Sequence, residues 1–203
     1  MQQAFLRSRR SIRRFRPEPV AEEIVRRILE TATYAPSAHN RQPWRFVVID
    51  DTRLREQFVD AMGAAFLHDL LADGLPPEEA EARLQRSRER ILSAPIAILL
   101  CLDMSDMDRY PDPIRAQKEY MMAVQSVALC GGQLLLAAHA EGVGGVWMCA
   151  PLFANEAVKS SLSLPPTWEA QALILLGYPQ DDPTCPPRKP LDEVTLFLEE
   201  FSV

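Results

Sequence analysis

Histidine and glycine are scarce in this chain, and basic residues are outnumbered by acidic ones. With Lys and Arg totalling 22 against 28 Asp and Glu, the formal net charge is -6. That balance argues against a general nucleic-acid binder, which carries a basic excess. The three histidines, His39, His68 and His139, are scattered over unrelated segments with no ligand spacing, and no metal is assigned. The four cysteines, Cys101, Cys130, Cys149 and Cys185, include no C-x-x-C pair, so their spacing suggests neither a zinc site nor a compact disulfide framework. They read as buried reduced thiols, since free cysteine behaves as a small hydrophobe.

Several common catalytic signatures are also missing. There is no G-x-x-x-x-G-K-[ST] phosphate loop, no G-x-S-x-G nucleophile elbow and no H-E-x-x-H helix. Residues 142–147, GVGGVW, imitate the start of a dinucleotide-binding fingerprint, but Trp147 stands where its last glycine belongs, and the segment precedes a strand. The N-terminus lacks the apolar core of a signal peptide, and the longest apolar runs read as too short or too interrupted to cross a bilayer. A cytoplasmic protein without membrane or nucleic-acid partners is expected.

What is present is an interleaving of helices and strands. Apolar residues at 24, 25, 28, 29, 32 and 35 predict an amphipathic helix over 21–35, ended by Pro36. The aromatic and β-branched run 44–49 predicts a buried strand. Thr52 is placed to cap a helix to about Leu71, and a charged helix over 78–92 begins acidic and ends basic, as the helix dipole favours. A strand over 96–102, a long central helix over 114–141 stopped by Gly142, a strand over 143–148, a short helix over 155–162 and a buried strand over 170–177 follow. The Gly131-Gly132 pair inside the long helix costs about 1 kcal/mol per glycine relative to alanine, a cost that close packing against another backbone would offset. The irregular alternation fits an α+β fold, a sheet sandwiched by helices in one domain over 1–203, better than a strict βαβ repeat.

Two constellations carry chemistry. Six arginines, 7, 9, 10, 13, 14 and 16, fall within ten positions, interrupted by the buriable Ile12 and Phe15 and accompanied by Ser11. Planar guanidiniums beside a hydroxyl suit a phosphate, because arginine gives bidentate charge-assisted bonds and serine adds a short neutral one. A solvated basic tail or a nucleic-acid arm is the competing reading. The second constellation is the turn Pro36-Ser37-Ala38-His39-Asn40-Arg41-Gln42-Pro43, closing on Trp44. Asn40 and Gln42 each offer a donor and an acceptor, as the edge of a heterocycle requires, although the same residues also make an ordinary helix-to-strand turn.

In order, residues 9–15 (RRSIRRF) and 35–44 (APSAHNRQPW) resemble the two N-terminal signatures of the nitroreductase family. The likeness continues through Gly142 to Cys149 and Gly177-Tyr178-Pro179 to Arg188-Lys189-Pro190. It implies a central, mainly antiparallel sheet flanked by helices and an obligate homodimer with FMN at its interface. Carried onto matching positions, it places Arg9, Arg10, Ser11, Ile12 and Arg13 around the flavin phosphate, ribityl chain and pyrimidine edge, with Arg13 as electrostatic support. Ser37, Asn40 and Gln42 approach from the second motif, the backbone at Trp147, Met148 and Cys149 runs alongside the isoalloxazine, and Arg188 returns to the phosphate. Arg7, Arg14 and Arg16 are left with surface roles.

The resemblance further implies hydride transfer from NADH or NADPH, or from a reduced deazaflavin, through FMN to a small organic acceptor in a ping-pong cycle. No side chain is required as a general acid. Within the family the chain is similar to the flavin domain fused to the γ-glutamyl ligase of deazaflavin-coenzyme biosynthesis, notably at residues 69–76 and 110–112, which implies a tie to deazaflavin-coenzyme metabolism and makes Asp69 a substrate contact. A non-catalytic flavin- or deazaflavin-binding carrier or sensor is the alternative.

Overall fold

The computed structural model describes residues 2–198. It contains helices α1 (Gln2–Ser8), α2 (Glu22–Ala32), α3 (Thr52–Ala72), α4 (Pro77–Leu92), α5 (Pro113–Ala140), α6 (Ala150–Phe153) and α7 (Asn155–Ser161). The strands are β1 (Trp44–Ile49), β2 (Ile96–Asp103), β3 (Gly144–Met148) and β4 (Trp168–Gly177), forming one sheet in the order β1-β2-β4-β3. Every neighbouring pair is antiparallel. The architecture is α+β, as expected.

The sheet is covered on both faces, which is why its inner strands read as continuous apolar runs. In β2, Ile98, Leu100 and Leu102 face α2 and α5 together with Ile174 and Leu176 of β4. Ala97, Leu99 and Cys101 face the opposite layer, with Leu173, Leu175, Phe58 of α3 and Val158 of α7. Every residue of β2 is buried. Each fully buried Leu or Ile contributes roughly 1.5–3 kcal/mol, so this pair of strands anchors the fold.

Side-chain caps open two of the long helices. Asp51, not Thr52, caps α3: its Oδ1 accepts from Leu54 N at 2.7 Å, and Thr52 is the first helical residue. Asp112 does the same for α5, accepting from Arg115 N at 2.9 Å ahead of Pro113. Helix α1 lies in a stretch for which no helix is expected. It is held to the end of α5 by Ser8 Oγ, 2.8 Å from His139 Nε2, and by Phe5 stacked on the same imidazole at 4.8 Å between centroids.

Helix α5 corrects one expectation: by length and composition it is apolar enough to cross a membrane. Yet its Ala123, Val127, Cys130, Leu134 and Ala138 are buried against α2 and the sheet, the pattern of a core helix. A further correction concerns its glycine pair. A Cβ on Gly131 would lie 2.2 Å from Cζ3 of Trp147 and 2.8 Å from Cδ2 of Leu100. Gly131 is therefore vacated for an indole ring of the same chain, not for a second backbone. Gly132 meets nothing within 4 Å.

One buried cation organises the far end of the sheet. The Arg55 guanidinium donates to the carbonyls of Ile49, Ala94 and Pro95, tying the end of β1 to the entry of β2 through α3. Burial lowers its pKa.

Candidate functional site

The arginine segment is built onto the sheet edge. Ile12 N donates to Gly145 O at 3.0 Å, Ser11 bridges Gly145 in parallel, and Arg16 N donates to Tyr178 O at 2.9 Å. Ile12 and Phe15 point into the core, and a Cβ on Gly144 would lie 2.5 Å from Ile12, so the 142–147 segment owes this glycine to the close passage of the N-terminal segment. With Ile12 and Phe15 anchored, the intervening arginines are turned outward.

They turn into a cavity of about 460 Å³, lined by Arg9, Arg10, Ser11, Ile12 and Arg13, by Arg14, for which only a surface role is expected, and, from far along the chain, by Asp181, Asp182 and Arg188. The guanidiniums are not equally committed. Arg10 donates to the carbonyls of Arg7 and Arg9 and to Cys185 Sγ at 2.7 Å. Arg14 pairs with Asp181 at 2.8 Å, and Arg16 pairs with Glu18 at 3.3 Å while lying over the Tyr178 ring. Among the described residues, Arg188 donates only to the carbonyls of Pro186 and Pro187. Arg9 and Arg13 have no side-chain partner among the described residues. Uncompensated guanidiniums beside a serine hydroxyl form a donor set for an anion, and a phosphate fits it.

The 37–42 turn is strained. His39, Asn40 and Gln42 all have positive φ, at 49°, 54° and 52°. For L residues the left-handed region costs roughly 1–2 kcal/mol each, less for Asn. The turn is held by Ser37 Oγ, which accepts from Gln42 N at 3.1 Å, and by Ser126 Oγ of α5, which accepts from Ala38 N at 3.1 Å. Gln42 Nε2 approaches Asn40 Oδ1 at 3.3 Å. Backbone strain of this kind concentrates where side chains must be presented in a fixed direction.

Within one chain the two constellations do not meet. The turn leads into Trp44, which pairs with Leu102 and through it with Glu169, whereas Gly145, beside Ser11, pairs with Leu176. From Glu169 to Leu176 is about 23 Å along the strand, and from β1 to β3 is roughly 14 Å across it. Ser37, Asn40 and Gln42 accordingly are not among the residues that line the arginine cavity of the same chain.

Trp147, Met148 and Cys149 form the end of edge strand β3 and its exit. Trp147 is seated on Gly131 and its Nε1 donates to Cys149 Sγ at 3.1 Å. Cys149 and Cys185 are exposed, a departure from the expectation of buried thiols. Cys101 and Cys130 follow it, with burial pushing each pKa up to about 12. Asp69 lies away from the arginines, on the wall of a second cavity between α3, α4 and α6. Ser126, whose hydroxyl holds the 37–42 turn, belongs to neither sequence constellation. A serine inside an apolar helix, as Ser126 is, was the one available signal.

The model of the nitroreductase family matches residues 6–178, which include the arginine segment, the strained turn and all four strands. The chain belongs to the nitroreductase family. It is 32% identical to an NADH dehydrogenase of Thermus thermophilus, over 93% of this chain and 92% of that one. It is 30% identical to a 5,6-dimethylbenzimidazole synthase of Rhodospirillum rubrum, over 90% and 84%. Among solved structures, a nitroreductase-type protein of Desulfovibrio desulfuricans in complex with FMN superposes with a TM-score of 0.73 at 29% identity, covering 98% of this chain and 95% of that one. Arg188 lies beyond the segment that defines the nitroreductase match, yet it lines the same cavity as Arg9 and Arg13.

Proposed function

We propose that this chain is an FMN-dependent oxidoreductase that takes reducing equivalents from NADH or NADPH and delivers them to a small organic acceptor. The observation that carries the reading is the cavity in which Arg9 and Arg13, both without side-chain partners among the described residues, stand beside Ser11 and Arg188. The FMN complex of the Desulfovibrio relative and the NADH dehydrogenase name of the Thermus relative support it.

The residues divide the work. Arg9 and Arg188 hold the phosphate by charge-assisted bonds, Ser11 adds a hydroxyl, and Arg10 is fixed as part of the wall. Arg13, with its guanidinium uncommitted, offsets negative charge accumulating at the pyrimidine edge. The backbone of Trp147 to Cys149 orients the ring, kept rigid by the indole wedged against α5. When bound, FMN supplies hydride acceptance and donation in alternation, so donor and acceptor use the site in turn by a ping-pong cycle.

A homodimer is part of this proposal. The polar groups of the strained turn do not line the arginine cavity of their own chain, and the reading assigns Ser37, Asn40 and Gln42 to the site of a second copy. Exposed apolar side chains on α5, Ile114, Met121 and Leu129, give such a partner a surface to bury.

The test begins with the visible absorption spectrum of the purified protein and an FMN titration of any colourless fraction. Oxidation of NADH and NADPH is then followed with a quinone or nitroaromatic acceptor. Flavin absorbance with acceptor-dependent turnover is the expected result. A protein without FMN affinity overturns the reading, and FMN binding without turnover of any acceptor leaves a carrier or sensor in its place.

A further inference from the structure

A further cavity, of about 310 Å³, lies where α1, the end of α5 and the entry to β3 meet the arginine segment, and its size is that of a small-molecule site. It shares Arg9, Arg10, Ile12, Asp182 and Pro183 with the arginine cavity, so the two are neighbouring chambers with one wall in common. A phosphate on Arg9 is therefore open to approach from either chamber.

The α1 chamber is furnished for something other than a second anion. Its apolar lining comes from Leu135 of α5, Val143 and the ring of Pro179. Its polar edge is His139. Ser8 Oγ donates its one proton to Phe5 O at 2.8 Å, so toward His139 Nε2, also at 2.8 Å, it is an acceptor. Nε2 then carries the ring proton, and in the neutral imidazole Nδ1 is an acceptor with no partner among the described residues. Phe5, stacked on the ring, holds it in place. At the common wall the Asp182 carboxylate likewise has no partner among the described residues. Its two oxygens suit the neighbouring hydroxyls of a ribose.

A free cation, a free carboxylate and an apolar slot with an acceptor at its edge match the three parts of a nucleotide. We propose that the α1 chamber seats the base of a purine nucleoside 5′-monophosphate with an exocyclic amine, AMP being the simplest. Its phosphate lies on Arg9, Asp182 accepts from the ribose hydroxyls, and His139 Nδ1 accepts from the amine. Such a nucleotide and FMN claim the same guanidinium and exclude each other, which makes cofactor loading sensitive to the nucleotide. The competition rests on the FMN reading of the arginine cavity, whereas the base site rests on the α1 chamber alone.

Calorimetry on the flavin-free protein compares AMP, ribose 5-phosphate and FMN. AMP is expected to bind at least about tenfold more tightly than ribose 5-phosphate, because its base buries apolar surface, and to raise the apparent Kd of FMN. Ser8→Trp, which fills the chamber from α1, is expected to bring AMP down to the level of ribose 5-phosphate and to leave FMN affinity in place. Ser8→Ala removes the hydroxyl, leaves the chamber open and keeps AMP above that level. Equal affinity for AMP and ribose 5-phosphate, AMP binding that survives Ser8→Trp, or AMP that binds without displacing FMN overturns the proposal. FMN binding with no AMP affinity overturns it too and leaves the flavin reading standing. AMP preference in a protein that binds no FMN supports the base site and overturns the flavin reading. If Ser8→Trp loses FMN as well, its fold is disturbed, and the ratio of AMP to ribose 5-phosphate affinity in the parent and in Ser8→Ala decides.

Discussion

Gly131→Ala tests whether the candidate flavin-orienting strand is keyed into α5. Two effects oppose each other. Alanine in a helix interior is favoured over glycine by about 1 kcal/mol. Against this, the new Cβ would stand 2.2 Å from Trp147 Cζ3, 3.1 Å from Trp147 Cε3 and 2.8 Å from Leu100 Cδ2. Carbon atoms pack at roughly 3.5–4.0 Å, so the rigid indole has to move by more than an ångström, and Leu100 is fully buried. Overpacking of this kind costs about 1–3 kcal/mol, and the upper part of that range applies because the new Cβ meets two side chains at once, one of them the fully buried Leu100. The net expectation is a destabilisation of about 1–2 kcal/mol, lowering Tm by roughly 2–8 °C for a chain of this length. Gly132→Ala is the internal control. Its Cβ meets nothing within 4 Å, so the propensity gain stands alone and Tm rises by about 2–4 °C. Thermal and urea unfolding followed by circular dichroism reads both. A Gly131→Ala protein as stable as the parent refutes the seating of Trp147. A Gly132→Ala protein that is stable but monomeric where the parent is dimeric places that glycine in contact with a second copy.

Other consequences follow from the same geometry. Arg55→Met strands the carbonyls of Ile49, Ala94 and Pro95 in the interior and is expected to cost about 3 kcal/mol or more, read as a shifted urea midpoint. Gln42→Gly relieves a left-handed φ of 52° and is expected to leave stability equal or up to about 1 kcal/mol higher, while weakening FMN binding; unchanged affinity would remove Gln42 from the site. Burial raises the Asp103 pKa, but the Ser105 hydroxyl and amide and then the Arg45 charge outweigh it, so the net direction is downward. A depressed carboxyl contributes stability above the unfolded value of about 3.9 and loses it as pH falls through the folded value. Asp103→Asn is therefore less stable than the parent at pH 7, with the gap closing on acidification. A gap that is constant with pH contradicts the assignment.

Much of the fold is legible in the sequence because periodicity reports burial directly. The runs 96–102 and 170–177 are apolar except for Gln171, which lies at the irregular pairing beside Cys101 and is itself buried, donating to Glu169. Helix α2 shows its buried stripe at Val25, Ile28 and Ala32. Helix α1 was not legible, since its residues are exposed and its anchor, His139, lies over a hundred positions away. Of the site, the arginine segment was readable in kind: Ile12 and Phe15 do alternate inward between outward cations. Which arginines are free depends on Asp181, Glu18 and Cys185, partners set by tertiary structure. The distance between the two constellations was equally hidden, because strand order is not written in local pattern. The role of Gly131 was misread for the same reason, its neighbour Trp147 coming from another element.

The most direct measurement is FMN affinity of the apoprotein beside its Arg9→Ala and Arg188→Ala variants, by quenching of flavin fluorescence. Each variant removes one charge-assisted bond, worth roughly 1.5–3 kcal/mol, so Kd is expected to rise about 10- to 150-fold with the fold intact. A parent that binds no FMN, or variants that bind it as tightly as the parent does, contradicts the assignment of this cavity to the flavin phosphate.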